Sequence, residues 1–238
     1  MRERERSMTL EKCTRPLTVA ILFDTTASMT GYLGKVKRHV HQMGKRLAKH
    51  FANLRVGLMA YGDHCDEPLM LQECPPTADL VTFSSFVKKT KSTCGGDIPE
   101  ALECALERLL HWHWGDEEEL KIAILLTDAP AHTEKECPQG NSYKEIATEL
   151  ACRGVSFYTC LCGKDRTAKK QLKELAKLSR GKFLKLEETK EVVPLIVAAA
   201  AHKGGIMDAY VAELKRQGRL DNSTKALLVK LDESLCHL

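Results

Sequence analysis

The sequence predicts an α/β fold: a three-layer, doubly wound, mostly parallel sheet of six strands with helices on both faces, then a helical C-terminal tail. Two observations carry this. Short apolar runs alternate with longer segments whose apolar residues recur at steps of three and four, the spacing of one helix face. The runs at residues 17–23 (LTVAILF) and 121–127 (KIAILLT) are almost continuously apolar, as strands buried on both faces require.

The elements follow in order. Residues 17–23 form the first strand, and Leu33, Val36, Val40, Met43 and Leu47 then mark a long helix. Residues 54–61 (LRVGLMAY) are a second strand, and the loop with Pro68, Pro75 and Pro76 has room for an edge strand. A short helix is expected over 79–90, with Asp79 as its cap. Asp97, Pro99 and Glu100 have the chemistry of a helix start, and Leu102, Leu106, Leu109 and Leu110 continue that helix. After the strand at 121–127 come a helix at 143–152 stopped by Gly154, a strand at 155–161 and a helix at 168–178. An edge-like strand at 182–186 and a helix at 189–202 close the series. The chain divides into a charged N-terminal tail (1–16), the α/β domain (17–204) and a helical extension (205–238). In that extension Met207, Tyr210, Val211 and Leu214 make one apolar stripe, and Leu227, Leu228, Leu231 and Leu235 another. A hairpin packed on the domain and an arm for self-association both fit these stripes.

Composition narrows the class. With 238 residues, 43% hydrophobic, 29% charged and 5% aromatic, the chain suits one sizeable globular core. The longest apolar run, 192–201, is about half a bilayer span, so no membrane partner is expected. A net charge of +4 is too mild to imply nucleic acid, and the basic cluster at 35–49 reads as a solvated helix face. The mixed-charge start (Arg2 to Arg6) lacks the apolar stretch of a secretory signal. A cytoplasmic protein with free thiols is therefore expected. Its ten cysteines include no CxxC pair, and Cys104, Cys152 and Cys160 fall in apolar segments as small hydrophobes. Cys160 and Cys162 share one side of a strand but make only a weak case for zinc.

Parallel sheets bind ligands at the carboxyl ends of their strands. The first strand runs into Asp24-Thr25-Thr26-Ala27-Ser28, the strand at 121–127 into Asp128, and Ser92-Thr93-Cys94-Gly95-Gly96-Asp97 forms a glycine-rich turn between them. Singly, Asp24 could cap a helix and Asp128 could serve a turn before Pro130. Together they gather carboxylates and hydroxyls that repel unless a cation compensates them. Hard oxygen donors favour Mg2+, with Mn2+ or Ca2+ as alternates.

These residues carry a family resemblance. DTTAS (24–28) resembles the DxSxS metal motif of von Willebrand factor A (vWA) domains, with Thr26 for the first serine, and LLTDAP resembles that family's later metal strand. The element order agrees from about residue 17 to 202. GGDIPEAL, YGDH and TDAPAH resemble the vWA domains found beside alpha-type kinases and in related stand-alone intracellular proteins. The resemblance implies a Rossmann-like vWA fold with a metal-ion-dependent adhesion site (MIDAS). Thr26 and Ser28 would ligate directly, and Asp24 and Asp128 directly or through water. The family's third-loop threonine aligns with Gly96 here, so Asp97 or Thr93 must substitute, or water, with Asp97 preferred. One coordination position would stay open for an acidic residue of a partner protein.

That reading is of a non-enzymatic protein-binding module. The alternatives are a magnesium-dependent phosphatase of haloacid dehalogenase type and a regulatory partner of a kinase. The phosphatase needs an acid two positions after Asp24, where Thr26 stands. Gly95-Gly96 has no P-loop lysine. Asp63 and His64 fit either the rim of the site or a polar turn, His132 lies near it, and His111 and His113 point to different helix faces.

Overall fold

The computed structural model describes residues 13–186 and 188–237. The charged stretch 1–12, most of the predicted N-terminal tail, lies outside the described residues. The strands are β1 (Leu17–Asp24), β2 (Leu54–Tyr61), β3 (Leu71–Thr77), β4 (Leu120–Thr127), β5 (Val155–Leu161) and β6 (Lys182–Lys185), in the sheet order β3-β2-β1-β4-β5-β6. All neighbours pair in parallel except β2 and β3, which run antiparallel. β3 contains Pro75 and Pro76, which cannot donate to a ladder and are tolerated at this sheet edge.

β1 is central and every one of its residues is buried. Its side chains alternate between two cores. Val19, Ile21 and Phe23 face the layer of α1 (Thr30–His50), α2 (Leu80–Lys89) and α6 (Val192–Lys203). Ala20 and Leu22 face α3 (Leu102–Leu110), α4 (Tyr143–Cys152) and α5 (Arg166–Leu178). α2 is capped as its sequence predicts: Asp79 accepts from the N–H groups of Val81 (2.9 Å) and Thr82 (3.2 Å).

One boundary differs from expectation in a way that matters for the site. α3 begins at Leu102, not at Asp97. The Glu100 N–H donates to Pro130 O at 2.9 Å, forming a parallel bridge with Ala131. Residues before the helix are thereby drawn across to the end of β4 rather than wound into a first turn.

The C-terminal residues form α7 (Met207–Arg216) and α8 (Asn222–Leu231). Both predicted stripes, including Tyr210, Leu214, Leu228 and Leu231, are buried in the same core as α1 and α6. Polar contacts tie them further: His50 Nε2 lies 2.6 Å from Glu213 Oε2, and Arg46 donates to the Tyr210 hydroxyl at 3.1 Å. No helix among the described residues is long and apolar enough to cross a membrane.

Candidate metal centre

β1 and β4 are parallel neighbours, so their carboxyl ends, Asp24 and Thr127, meet at one edge of the sheet. Asp24 is fully buried and its orientation is over-determined. Its Oδ1 accepts from the Thr26 N–H (3.0 Å) and the Thr26 hydroxyl (2.6 Å), and its Oδ2 accepts from the Thr127 hydroxyl (2.7 Å). The chain then turns: Thr26 is still extended, and the Met29 N–H closes a 3-10 turn onto Thr26 O at 2.9 Å. That turn sets Ser28 Oγ 3.5 Å from Thr26 Oγ1 and lets it donate to Asp128 Oδ1 at 3.1 Å. Asp24, Thr26, Ser28 and Asp128 are thus one connected oxygen array spanning two strand ends. Burial raises the Asp24 carboxyl to about 6, against the pull of its three donors and with the Asp128 charge adding to the rise.

The third loop is arranged differently from the sequence expectation. Thr93 packs on the back of the first loop: its N–H donates to Thr25 O (2.9 Å) and its hydroxyl lies 3.3 Å from that of Thr25. Asp97 is exposed, and its carboxylate groups with Asp63 and His132, with ligand atoms within 4.8 Å of one another. The loop itself is pinned by Asp66, which sequence reading did not single out. Asp66 Oδ1 accepts from the Cys94 N–H (3.0 Å), and its Oδ2 from the N–H groups of Gly95 (3.1 Å) and Asp63 (2.9 Å).

Glu100 is the other residue that sequence reading placed elsewhere, as a helix cap. It is buried, and its Oε2 has no hydrogen-bond partner among the described residues. A Cβ on Gly95 (φ +71°) would sit 3.1 Å from Glu100 Oε1 and 3.4 Å from Thr26 Cγ2, so both side chains face the space that glycine leaves open. Burial first, then the charges of Asp24, Asp63, Asp66 and Asp128, push the Glu100 carboxyl up to about 9. No local signal marks Glu100 as a site residue, because the Pro130 contact that turns it inward lies thirty positions on.

A hard divalent cation fits this donor set. Two carboxylates and two hydroxyls converge, with a buried and unpartnered carboxylate oxygen beside them. The Thr26 hydroxyl spends its proton on Asp24, which leaves its lone pairs free for a metal.

Comparison with known proteins identifies the fold and the family. The model of the von Willebrand factor type A domain matches residues 18–197, most of the chain. The chain belongs to the von Willebrand factor type A family. Solved structures share the vWA fold at low identity. A von Willebrand factor type A protein from Catenulispora acidiphila is 16% identical, covering 81% of this chain and 43% of its own, with a TM-score of 0.60. The conserved hypothetical protein BatB from Bacteroides thetaiotaomicron is 17% identical, covering 79% of this chain and 99% of its own, with a TM-score of 0.55. Proximal thread matrix protein 1 from the mussel byssus, with a zinc-occupied MIDAS motif, is 15% identical, covering 79% of this chain and 47% of its own, with a TM-score of 0.58. A curated relative from Acanthamoeba polyphaga mimivirus, whose name describes it as an ariadne-like RING finger protein, is 23% identical over 236 residues. The chain spans only 23% of that relative's length.

Proposed function

We propose that this vWA domain is a non-enzymatic, divalent-metal-dependent protein-binding module. The observation that carries the reading is the connected array Asp24–Thr26–Ser28–Asp128 across two strand ends. Thr26 and Ser28 would ligate directly, and Asp24 and Asp128 directly or through water. For the third-loop oxygen, support is stronger for Glu100 than for Asp97 or Thr93. Glu100 is buried opposite Thr26 with a bare oxygen, whereas Asp97 sits with Asp63 and His132, and Thr93 with Thr25.

Magnesium is the expected ion from the all-oxygen donors, and the zinc-occupied mussel relative makes zinc a necessary comparison. A metal with a free coordination position lets an acidic side chain of a partner dock among carboxylates that would otherwise repel it. The apolar faces of α7 and α8 are already covered by this chain's own core, so the strand-end site offers the better surface for a partner than self-association through those helices. A phosphatase reading is disfavoured by Thr26. That enzyme type needs an acid/base carboxylate two positions after the nucleophile, where Thr26 stands with its hydroxyl donating to Asp24.

The test combines calorimetric titration of Mg2+, Mn2+ and Zn2+ with affinity capture of partners in magnesium, in chelator and with Asp24→Ala. Saturable Mg2+ and Mn2+ binding and partner capture should both be lost in Asp24→Ala. The same proteins captured under all three conditions would overturn the reading, as would phosphatase turnover abolished by Asp24→Asn.

A further inference from the structure

A second group of metal-ligating side chains gathers around the first turn of α3. It shares no residue with Asp24, Thr26, Ser28 and Asp128. His64 comes from the turn after β2, Glu103 and Cys104 from the first turn of α3, and Cys137 from the loop after β4. One ligand atom from each lies within 4.8 Å of all the others. The contacts are His64 Nε2 to Glu103 Oε1 at 3.0 Å, Cys104 Sγ to Glu103 Oε1 at 3.8 Å, and Cys104 Sγ to Cys137 Sγ at 3.8 Å.

We infer that His64, Glu103, Cys104 and Cys137 form a tetrahedral zinc site that holds the loop after β4 against α3 and the β2 turn. Size is the first argument. Zinc–sulfur bonds of about 2.3 Å at a tetrahedral angle put two sulfurs about 3.8 Å apart, and zinc–nitrogen or zinc–oxygen bonds of about 2.0–2.1 Å put those atoms about 3.3 Å apart. The Cys104–Cys137 separation of 3.8 Å matches the first spacing and the His64–Glu103 separation of 3.0 Å is close to the second. The two sulfurs are too far apart for a disulfide, which needs about 2.05 Å.

Charge is the second argument. Glu103 is 0% exposed, and the side chains recorded facing its carboxylate are two imidazoles and a thiol. An isolated buried carboxylate is costly, and a cation removes that cost. His132 adds an independent sign of a ligand. It is buried, its Nδ1 faces Glu103 Oε1 at 3.3 Å, and that nitrogen has no hydrogen-bond partner among the described residues. The surroundings suit an outer shell for the metal. Glu103 Oε2 accepts from the His132 N–H at 3.2 Å, and Asn141 Nδ2 donates to Cys104 Sγ at 3.8 Å. His64, the one partly exposed member, lies on the entry side.

Softness separates this site from the strand-end array. Two thiolates and an imidazole select zinc over magnesium, and on binding the two thiols release their protons to solvent. The loop after β4 then gains a side-chain tie to α3 in addition to the Glu100–Pro130 backbone bond.

The experiment is metal analysis of the whole chain purified under reducing conditions, paired with cobalt(II) substitution. About one zinc per chain is expected, together with a thiolate-to-cobalt charge-transfer band. Both should survive in Asp24→Ala, which empties only the strand-end site. Zinc content should fall at least tenfold, on the order of what loss of ligands produces, in the Cys104→Ser/Cys137→Ser variant. Wild-type protein without zinc and without the cobalt band would overturn the inference whether or not the variant folds. So would zinc retained when the double variant also carries Asp24→Ala, or a Cys104–Cys137 disulfide that persists in reducing buffer.

Discussion

Leu228→Ala tests whether the C-terminal helices belong to the domain's cooperative unit or merely lean on it. Leu228 is 0% exposed and packs in the core shared by α1 and α6. Truncating such a leucine costs about 2–5 kcal/mol, the transfer of the lost methyl groups plus the cavity they leave. For a domain of this size each kcal/mol lowers the midpoint by roughly 2–4 °C, so a loss of about 3 kcal/mol predicts a drop of about 6–12 °C. The informative probe is on the far side of the sheet. Trp112 and Trp114 are buried in the opposite core, among residues of α3 and β4. If one core structure spans both faces, tryptophan fluorescence and far-UV circular dichroism should melt together, both shifted. A tryptophan transition unmoved to within about 1 °C, with only helical signal lost early, would refute the single unit. The helices would then be an appendage after all.

Three other outcomes follow from the same contacts. Gly62→Ala should cost about 1–3 kcal/mol and weaken metal binding, because a Cβ there would meet Thr93 Oγ1 at 2.5 Å and Asp66 Oδ2 at 2.6 Å and push the third loop off its pin; unchanged magnesium titration would sink this. Asp66→Asn should lower metal affinity with little change in melting temperature, since it acts on the backbone N–H groups of Cys94 and Gly95; a variant with native affinity would count against a pinning role. Burial works against ionisation of Glu213, but His50 and Lys49 outweigh it and hold the carboxyl below its usual range; because burial also pushes the His50 imidazole down, Lys49 is the partner that carries charge at pH 7. A depressed carboxyl stabilises the fold fully above its unfolded pKa of about 4.3, and that stability is lost as pH falls through the folded value. Glu213→Gln should therefore be less stable than the parent at pH 7 and show a smaller further loss between pH 6 and pH 3, read as urea midpoints. Parallel losses in both proteins would remove this pair from the acid sensitivity.

Much of the architecture is legible in the chain because its signals are local. The continuous run in β1, the three-and-four spacing of α1 and the cap at Asp79 each act within a few residues, and the structure reproduces them. The segment before α3 shows where local reading stops. Asp97, Pro99 and Glu100 carry all the chemistry of a helix start, yet the Glu100 N–H pairs with Pro130 O instead. That long-range bond outcompetes a first turn whose N–H groups have no intrahelical partner anyway. The C-terminal stripes show a second kind of limit. Apolar spacing reveals that a helix has a face to bury, but not what buries it.

The sequence by itself determined the order of strands and helices, and the Asp24, Thr26, Ser28 spacing that presents three oxygens at one strand end. It also carried Asp128, because a parallel strand must end beside its neighbour. The tertiary structure alone decided which distant groups join them. It buried Glu100 beside Thr26, sent Asp97 toward Asp63 and His132, and brought His64, Glu103, Cys104 and Cys137 together from three separate segments. The physical reason is that a ligand set drawn from several loops depends on sheet order and on long-range backbone bonds, which no stretch of neighbouring residues encodes.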